Sequence, residues 1–417
     1  MMIRTFHSIG QGAFYTEEFD NFRFVYDCGT DTDGKKRIEG YIKNHLKEND
    51  VINALFISHF HRDHINGLEY LLSNTDVKYI FIPQYDIYQQ ALDFVCTDRN
   101  LNSFNTRLTI NPVDAIKSIS PKIKVITIKR YTQKNDSNEV DLETLNDGAM
   151  IDSGKPIKTC CIPNWRFIPI NHNNTNSILF QKHLKALKIE FHNASDFISA
   201  WQQKTIRDKI KKAFKRLPKN PNENSMVVYS GPKINSVLRF SHYITSPANL
   251  RNHCINQNVG CIYFGDYETG DDAWNTIINA LKDHYDLAGV IQFPHHGSSN
   301  NYRDEINKND FVYSVISYGT KNTHKHPSSF TIRSILNNNG IPLEVTETPS
   351  TKLHFRVQAW KKVLLNDYFE DYKKPTATEN SLFLNHFGVD FNQEKNNKYI
   401  LIEEQNDEYI LLECKKF

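Results

Sequence analysis

The chain has 417 residues, long enough to bury a large core, and its 39% hydrophobic and 12% aromatic content is that of a packed globular protein. Fifty basic side chains against forty-eight acidic ones leave a formal charge of +2, a balance that excludes reading a polyanionic partner from total charge alone. The seven cysteines, Cys28, Cys96, Cys160, Cys161, Cys254, Cys261 and Cys414, form no CxxC pair, which excludes a disulfide framework and a cysteine zinc knuckle.

No run approaches the roughly 18 to 20 apolar residues of a membrane helix, and the start, Met1 to His7, lacks the order of a secretory signal. The expectation is a cytoplasmic protein with no membrane partner.

In chain order, Ile3 to Ile9, a Gly10-Gln11-Gly12 turn and Phe22 to Asp27 read as a strand pair ending at Cys28-Gly29. A helix from about Lys36 to Lys47 precedes Val51 to Ser58, a nearly continuous apolar run of the kind buried on both faces of a sheet. Its end delivers His59. A helix from Gly67 to Leu72 and a buried strand from Val77 to Ile82 follow, so the order is βαβαβ and the fold class is α/β.

From about Lys122 to Ile170 the pattern is short strands, among them Val125 to Ile128 and Trp165 to Pro169, with a loop over 134–156. Ile198, Trp201, Ile206, Ile210, Phe214 and Leu217 then recur at helical spacing, with Lys204, Arg207, Lys209, Lys211, Lys212, Lys215 and Arg216 mostly on the other faces. This predicts one basic amphipathic helix ended by Pro218, inside an insertion of about 180–222.

Strands resume at Ser225 to Tyr229, Gly260 to Phe264, Gly289 to Phe293 and Phe311 to Ile316, and a terminal hairpin is expected around Gln405-Asn406-Asp407. Residues 1–345 are expected to form the main domain. Residues 346–417, with Phe355, Trp360, Tyr368, Phe369 and Tyr372, are expected to form a small α+β appendage that caps the site or offers a surface to a protein partner.

The chemistry concentrates in Ser58-His59-Phe60-His61-Arg62-Asp63-His64, which puts three imidazoles and a carboxylate on one loop at a strand end. Imidazole nitrogen and carboxylate oxygen are ligands for borderline divalent ions such as zinc or manganese. His59 and His61 can converge on one ion, and Asp63 and His64 on a second. Two later strand ends add Gly265-Asp266, where the carboxylate can bridge, and Pro294-His295-His296-Gly297-Ser298, from which His295 is taken as a ligand. His324-Lys325-His326-Pro327 reads equally as site or surface loop. No further histidine ligand stands out between the first motif and Asp266; His172 is a candidate, so one ion or two remain open.

This order of motifs, together with Gly10-Gln11-Gly12, Tyr26-Asp27-Cys28-Gly29, Gly67-Leu68 and Asn224-Ser225-Met226-Val227, resembles the metallo-β-lactamase superfamily, and within it the soluble hydrolase domain of the competence protein ComEC. The resemblance covers roughly residues 1–345. It implies an αββα sandwich with the metal site at one edge and Asp27 supporting the histidine loop.

The expected chemistry is attack of a metal-bound hydroxide on a phosphorus or carbonyl centre, with one or two divalent ions, zinc or manganese, as cofactor. Asp63 would orient the nucleophile, and His296 or His326 would donate a proton to the leaving oxygen. Ser298 or amides near Gly297 would hold a non-bridging oxygen.

The ComEC-like branch and the basic helix, with Lys209, Lys212 and Arg216 along phosphates, point to a nuclease acting on DNA. The alternatives are a hydrolase of a cyclic nucleotide or ester on the same fold, and a catalytically weak partner-binding protein.

Overall fold

A computed structural model describes the chain except at 97–100, 102, 134–137, 173–175, 218–224, 237, 246–252, 256–257, 308–311, 365–398, 406–407 and 416–417. The helix stop at Pro218 and the aromatics Tyr368, Phe369 and Tyr372 lie outside the described residues.

The apolar runs that mark buried strands assemble two sheets. The first places Leu353–Leu364, Met2–Phe6, Gly12–Glu18, Arg23–Thr30, Val51–Phe56, Asp76–Pro83 and Lys124–Ile128 side by side, extended at one edge by Leu238–Thr245 and His253–Ile255 and at the other by Met150–Ile151. The second runs Ile341–Val345, Tyr313–Ser317, Ala288–Gln292, Gly260–Tyr263, Met226–Pro232 and Trp165–Asn171, with two short strands beyond.

Alternate side chains of the strands meet between the sheets, where Phe24, Tyr26, Phe56 and Phe81 pack with Phe167, Val228, Tyr263 and Val290. Phe24 and Phe167 stack with centroids 5.2 Å apart. The opposite face of the first sheet, including Val25, Leu55 and Ile80, is covered by Ile38 and Ile42 of helix Lys35–His45 and by Leu68 and Leu71. The outer face of the second is covered by Trp274, Ile277 and Leu281 of helix Asp271–Leu281. The layers are therefore helix, sheet, sheet, helix, the αββα sandwich that the resemblance implies.

The inter-sheet core also holds a charged pair. Arg4 Nε donates to Glu17 Oε1 at 2.7 Å, and both side chains are fully buried. Further Arg4 nitrogens reach the carbonyls of Val259 (2.9 Å) and Ser230 (3.3 Å), and Glu17 also accepts from Ser230 Oγ and Tyr263 Oη. Burial alone would pull the Arg4 guanidinium down, but Glu17 and its neighbours hold it above its ordinary value.

Two expectations need correction. Strand Leu353–Leu364 pairs antiparallel with Met2–Phe6, and Phe355, Val357 and Ala359 sit in the inter-sheet core, so the expected boundary at 345 cuts off a strand of the first sheet. A two-residue alternation drives this, because Leu353, Phe355, Val357 and Ala359 turn inward while His354, Arg356 and Gln358 do not. The terminal hairpin is present as Tyr399–Gln405 with Glu408–Lys415, the latter paired to Leu353–Leu364.

The basic segment is two helices, Ala194–Gln202 and Lys204–Phe214, broken at Gln203, whose backbone is extended (φ −79°, ψ 113°). The first starts where the Asn193 side chain accepts from Asp196 N. The break lets Trp201 and Ile210 both reach one apolar cluster.

That cluster joins two chain segments. Helix Ile87–Cys96, absent from the sequence expectation, contributes Leu92 and Phe94; helix Asn176–Ala186 and the two basic helices contribute Phe180, Leu184, Phe197 and Trp201. Helix Ile87–Cys96 follows strand Asp76–Pro83, which runs parallel to Val51–Phe56 and ends at the same edge. The segment after Asn171 leaves from that edge too, since Asn171 pairs with Met226, and Met226 N donates to Ser58 O at 2.8 Å. The helical layer is thus rooted at the edge where His59 emerges.

Candidate metal centre

Strand Val51–Phe56 ends just before Ser58, and a short helix, Arg62–Ile65, turns the chain so that His59, His61, Asp63 and His64 face one point. Asp266 reaches the same point from the end of strand Gly260–Tyr263, where Gly265 takes a positive φ of 57° and lets the backbone reverse.

The ligand atoms form two groups, each with all members within 4.8 Å of one another: His59, His61 and Asp266, and Asp63, His64, Asp266 and His296. Asp266 is common to both.

The imidazoles are oriented from behind. Asp27, fully buried with φ 56°, accepts from Ser58 N at 2.7 Å, Ser58 Oγ at 2.6 Å and His64 Nδ1 at 2.7 Å. That places the proton of His64 on Nδ1 and leaves Nε2 facing Asp266 Oδ1 at 3.4 Å. Since the Ser58 hydroxyl proton goes to Asp27, Ser58 Oγ is an acceptor for His59 Nδ1 at 2.9 Å, with Ser225 Oγ at 3.1 Å. His296 donates from Nδ1 to Ser317 O at 2.7 Å and aims Nε2 at Asp63 Oδ2, 3.4 Å away.

Three imidazoles are therefore anchored through Nδ1 and present Nε2 inward, the arrangement in which a hydrogen bond at one ring nitrogen fixes the tautomer and leaves the other free to ligate a metal. Nε2 of His59, His61 and His64 and Oδ1 of Asp266 are buried and have no hydrogen-bond partner among the described residues. Buried polar atoms left in that state are costly, and a divalent cation in each donor group is what would satisfy them. The residues fit one.

The electrostatics agree. Burial pulls His64 down, but Asp63, Asp266 and Asp27 hold its imidazole well above the ordinary histidine range. Burial would raise Asp63 and Asp266, yet His64 and the neighbouring histidines drive both carboxyls below their ordinary value. Burial and then the like charges of the neighbouring imidazoles lower His59, and burial lowers His61. Ionised carboxylates beside the neutral His59 and His61 are a ligand set for a cation, and at His64 the same carboxylates favour positive charge, which a cation would supply in place of the proton.

Other expected residues fall differently. His296, expected as a proton donor, stands in the second group, whereas His295, expected as a ligand, stands in neither; its Nδ1 lies 3.2 Å from Asn301 Oδ1 and its ring 5.7 Å from that of His326. Both residues have positive φ, 46° and 54°, and this double reversal decides which imidazole points inward. Ser298 Oγ accepts from Asn300 N and so caps a turn.

His326 is half-buried beside His295, its pKa pushed down to about 4 by burial and by His295, His296 and His324. His172 belongs to neither group; its Nδ1 lies 3.0 Å from Thr276 Oγ1. Lys209, Lys212 and Arg216 are exposed on or just after helix Lys204–Phe214.

Sequence reasoning gave no role to Ser225, which holds both His59 Nδ1 and Asp266 N (2.8 Å) and so ties the two halves of the cluster together. Its place directly before a strand opposite the first motif is a signal available only once the sheets are assembled.

Residues 16–132 match the family model described as Metallo-beta-lactamase superfamily. Ribonuclease J of Mycoplasma genitalium and ribonuclease J of Mycoplasma pneumoniae are each 40% identical over 75 residues, 17% of this chain. The match spans 13% of the length of those relatives. Among solved structures, a CmlA beta-hydroxylase variant superposes with a TM-score of 0.41 at 8% identity, covering 86% of this chain and 53% of that one. MEM-A1, a subclass B3 metallo-beta-lactamase from a soil metagenome library, gives 0.26 at 9% identity, covering 72% and 80%. That similarity to a metallo-beta-lactamase superfamily domain is confined to the matched segment, which holds His59, His61, Asp63 and His64.

Proposed function

We propose that this metallo-beta-lactamase superfamily domain is a metal-dependent hydrolase that cleaves phosphodiester bonds in nucleic acid. The observation that carries the reading is the pair of donor groups sharing Asp266, with inward nitrogens and an oxygen that lack a hydrogen-bond partner among the described residues. His59, His61 and Asp266 would hold one ion, and Asp63, His64, Asp266 and His296 a second. Bound divalent ions supply an acidified water and neutralise charge on phosphoryl oxygens.

The chain's own residues do the rest. Asp27, Ser58 and Ser225 keep the donor set rigid. Asp63, the more exposed of the two cluster carboxylates at 15% against 9% for Asp266, accepts the proton released as water oxygen bonds to phosphorus. The phosphorus–oxygen bond to the leaving group then breaks, and the proton taken up by Asp63 passes to that oxygen. His326 at the rim, neutral at pH 7, offers it a hydrogen bond.

Two further observations support nucleic acid. The matched segment is similar to proteins named ribonuclease J. The helical layer rooted at the metal edge exposes Lys204, Lys209, Lys212, Lys215 and Arg216, a row of cations suited to a phosphate backbone. The ComEC-like resemblance points to DNA and the ribonuclease J similarity to RNA.

End-labelled single- and double-stranded RNA and DNA, incubated with Mn²⁺, Zn²⁺ or Mg²⁺, decide the matter. Cleavage of at least one by the wild type and its loss in Asp63→Ala is the expected result. Hydrolysis of a cyclic nucleotide with all four polymers left intact would replace this reading by a small-molecule phosphodiesterase.

A further inference from the structure

The outer face of the first sheet carries a feature unrelated to the metal cluster. Strands Met2–Phe6, Gly12–Glu18 and Leu353–Leu364 are adjacent, with Thr5 opposite both Thr16 and His354, and Ile3 opposite both Glu18 and Arg356. Where a covering helix would demand apolar side chains, this face presents threonines, histidines and cations. A cavity of about 230 Å³ opens over it, lined by His7, Phe14, His45, Lys352, His354 and Arg356 among others. That volume is far beyond the ~30 Å³ of one water.

His7 is the buried polar group of this cavity, 6% exposed and stacked on Phe14 with centroids 4.5 Å apart. Its Nε2 is held by Thr16 Oγ1 at 3.0 Å, while Nδ1 is buried without a partner. His354 is oriented through Nδ1 by Thr5 Oγ1 at 2.9 Å. His45 donates from Nδ1 to Tyr41 O at 2.8 Å and packs against the Tyr41 ring. Glu18, the acidic residue of the lining, pairs with Arg23 at 3.7 Å.

A metal ion does not suit this place, since among the described residues these imidazoles form no group of converging ligand atoms. An anion does. We propose that the cavity is a binding site for a phosphate monoester group, with Lys352 and Arg356 supplying charge and His7 and His354 supplying N–H donors.

A monoester carries about −1.5 to −2 at pH 7 and three acceptor oxygens, which matches two permanent cations and two imidazole donors better than a single carboxylate would. The field points the same way. Burial lowers the pKa of His7, His45 and His354, and the Lys352 cation lowers all three further, which marks a positive field over this face. The inference does not rest on the nuclease reading.

The monoester could come from a free nucleotide or from the phosphorylated end of a nucleic-acid strand. The test is calorimetric titration of the metal-loaded full chain with AMP, and with a short single-stranded RNA carrying either a 5′-phosphate or a 5′-hydroxyl. His61→Ala separates this cavity from the metal cluster. AMP, the 5′-phosphorylated strand, or both should bind wild type and His61→Ala alike, and weaken at least tenfold in Lys352→Ala/His354→Gln, checked for an unchanged melting temperature.

Weakening of AMP identifies a free nucleotide; weakening of the 5′-phosphorylated strand alone, with the 5′-hydroxyl strand unaffected, identifies a strand end. Arg356→Gln serves if the double variant does not fold, with a loss of at least threefold expected. Binding of every probe unchanged by these substitutions, or binding abolished by His61→Ala alone, overturns the proposal.

Discussion

Asp27→Asn changes one atom yet acts on the orientation of the whole second donor group. The carboxylate accepts three hydrogen bonds, from Ser58 N (2.7 Å), Ser58 Oγ (2.6 Å) and His64 Nδ1 (2.7 Å). An asparagine supplies one acceptor oxygen and an NH₂. If the oxygen keeps Ser58 N, the NH₂ faces two donors, and His64 relieves the clash by moving its proton to Nε2, the atom that faces Asp63 and Asp266.

A lost outer partner of this kind typically weakens metal binding 10- to 100-fold, or about 1.4 to 2.8 kcal/mol at a tenfold change per 1.4 kcal/mol. The His59–His61–Asp266 group keeps its histidine ligands, so the loss falls on one equivalent of metal. Competition against a chromophoric chelator reads both equivalents, with a thermal melt to confirm folding. Two equivalents bound within twofold of wild type would refute the argument that Asp27 fixes the His64 tautomer.

Arg4→Met should destabilise the sandwich by about 3 to 5 kcal/mol, the usual cost of leaving one member of a buried pair without the other; urea unfolding measures it, and a loss below 1 kcal/mol would show that Glu17 finds other partners. Asp93, fully buried on helix Ile87–Cys96 and held by Gln89 Nε2 at 2.9 Å, has a pKa pushed up to about 7 by burial. Its folded value lies above its unfolded one, so its contribution is complete below about pH 4 and is lost as pH rises through about 7. Asp93→Asn should raise the melting temperature at pH 8 and leave it nearly unchanged at pH 4; equal shifts at both would contradict this. Replacing Lys209, Lys212 and Arg216 by alanine should flatten the dependence of log affinity for single-stranded nucleic acid on log salt by about 2, at about 0.7 per phosphate contact; an unchanged slope would remove the helix from the interface.

The part of the fold legible in sequence is the part whose burial is local. Ile52 to Ile57 and Val77 to Ile82 are apolar at nearly every position because helices cover one face and the second sheet the other, and the motif at their end therefore reads without ambiguity. The helices at 87–119 escaped because part of their apolar surface meets helices some 100 residues later, a pairing no local period announces. The adjacent histidines His295 and His296 could not be sorted by spacing, since their two positive φ values set their directions. Asp266 was legible as a strand-end carboxylate, while Ser225, acting through a hydrogen bond to His59 from the other sheet, was not.

The most direct test of the account is to strip the protein with a chelator and return Mn²⁺ or Zn²⁺ in stoichiometric steps while following cleavage of a labelled oligonucleotide. Activity absent in the stripped protein and rising as the His59–His61–Asp266 and Asp63–His64–Asp266–His296 groups fill is the predicted result. Cleavage that survives complete removal of metal, or a protein that takes up no metal at all, would contradict it.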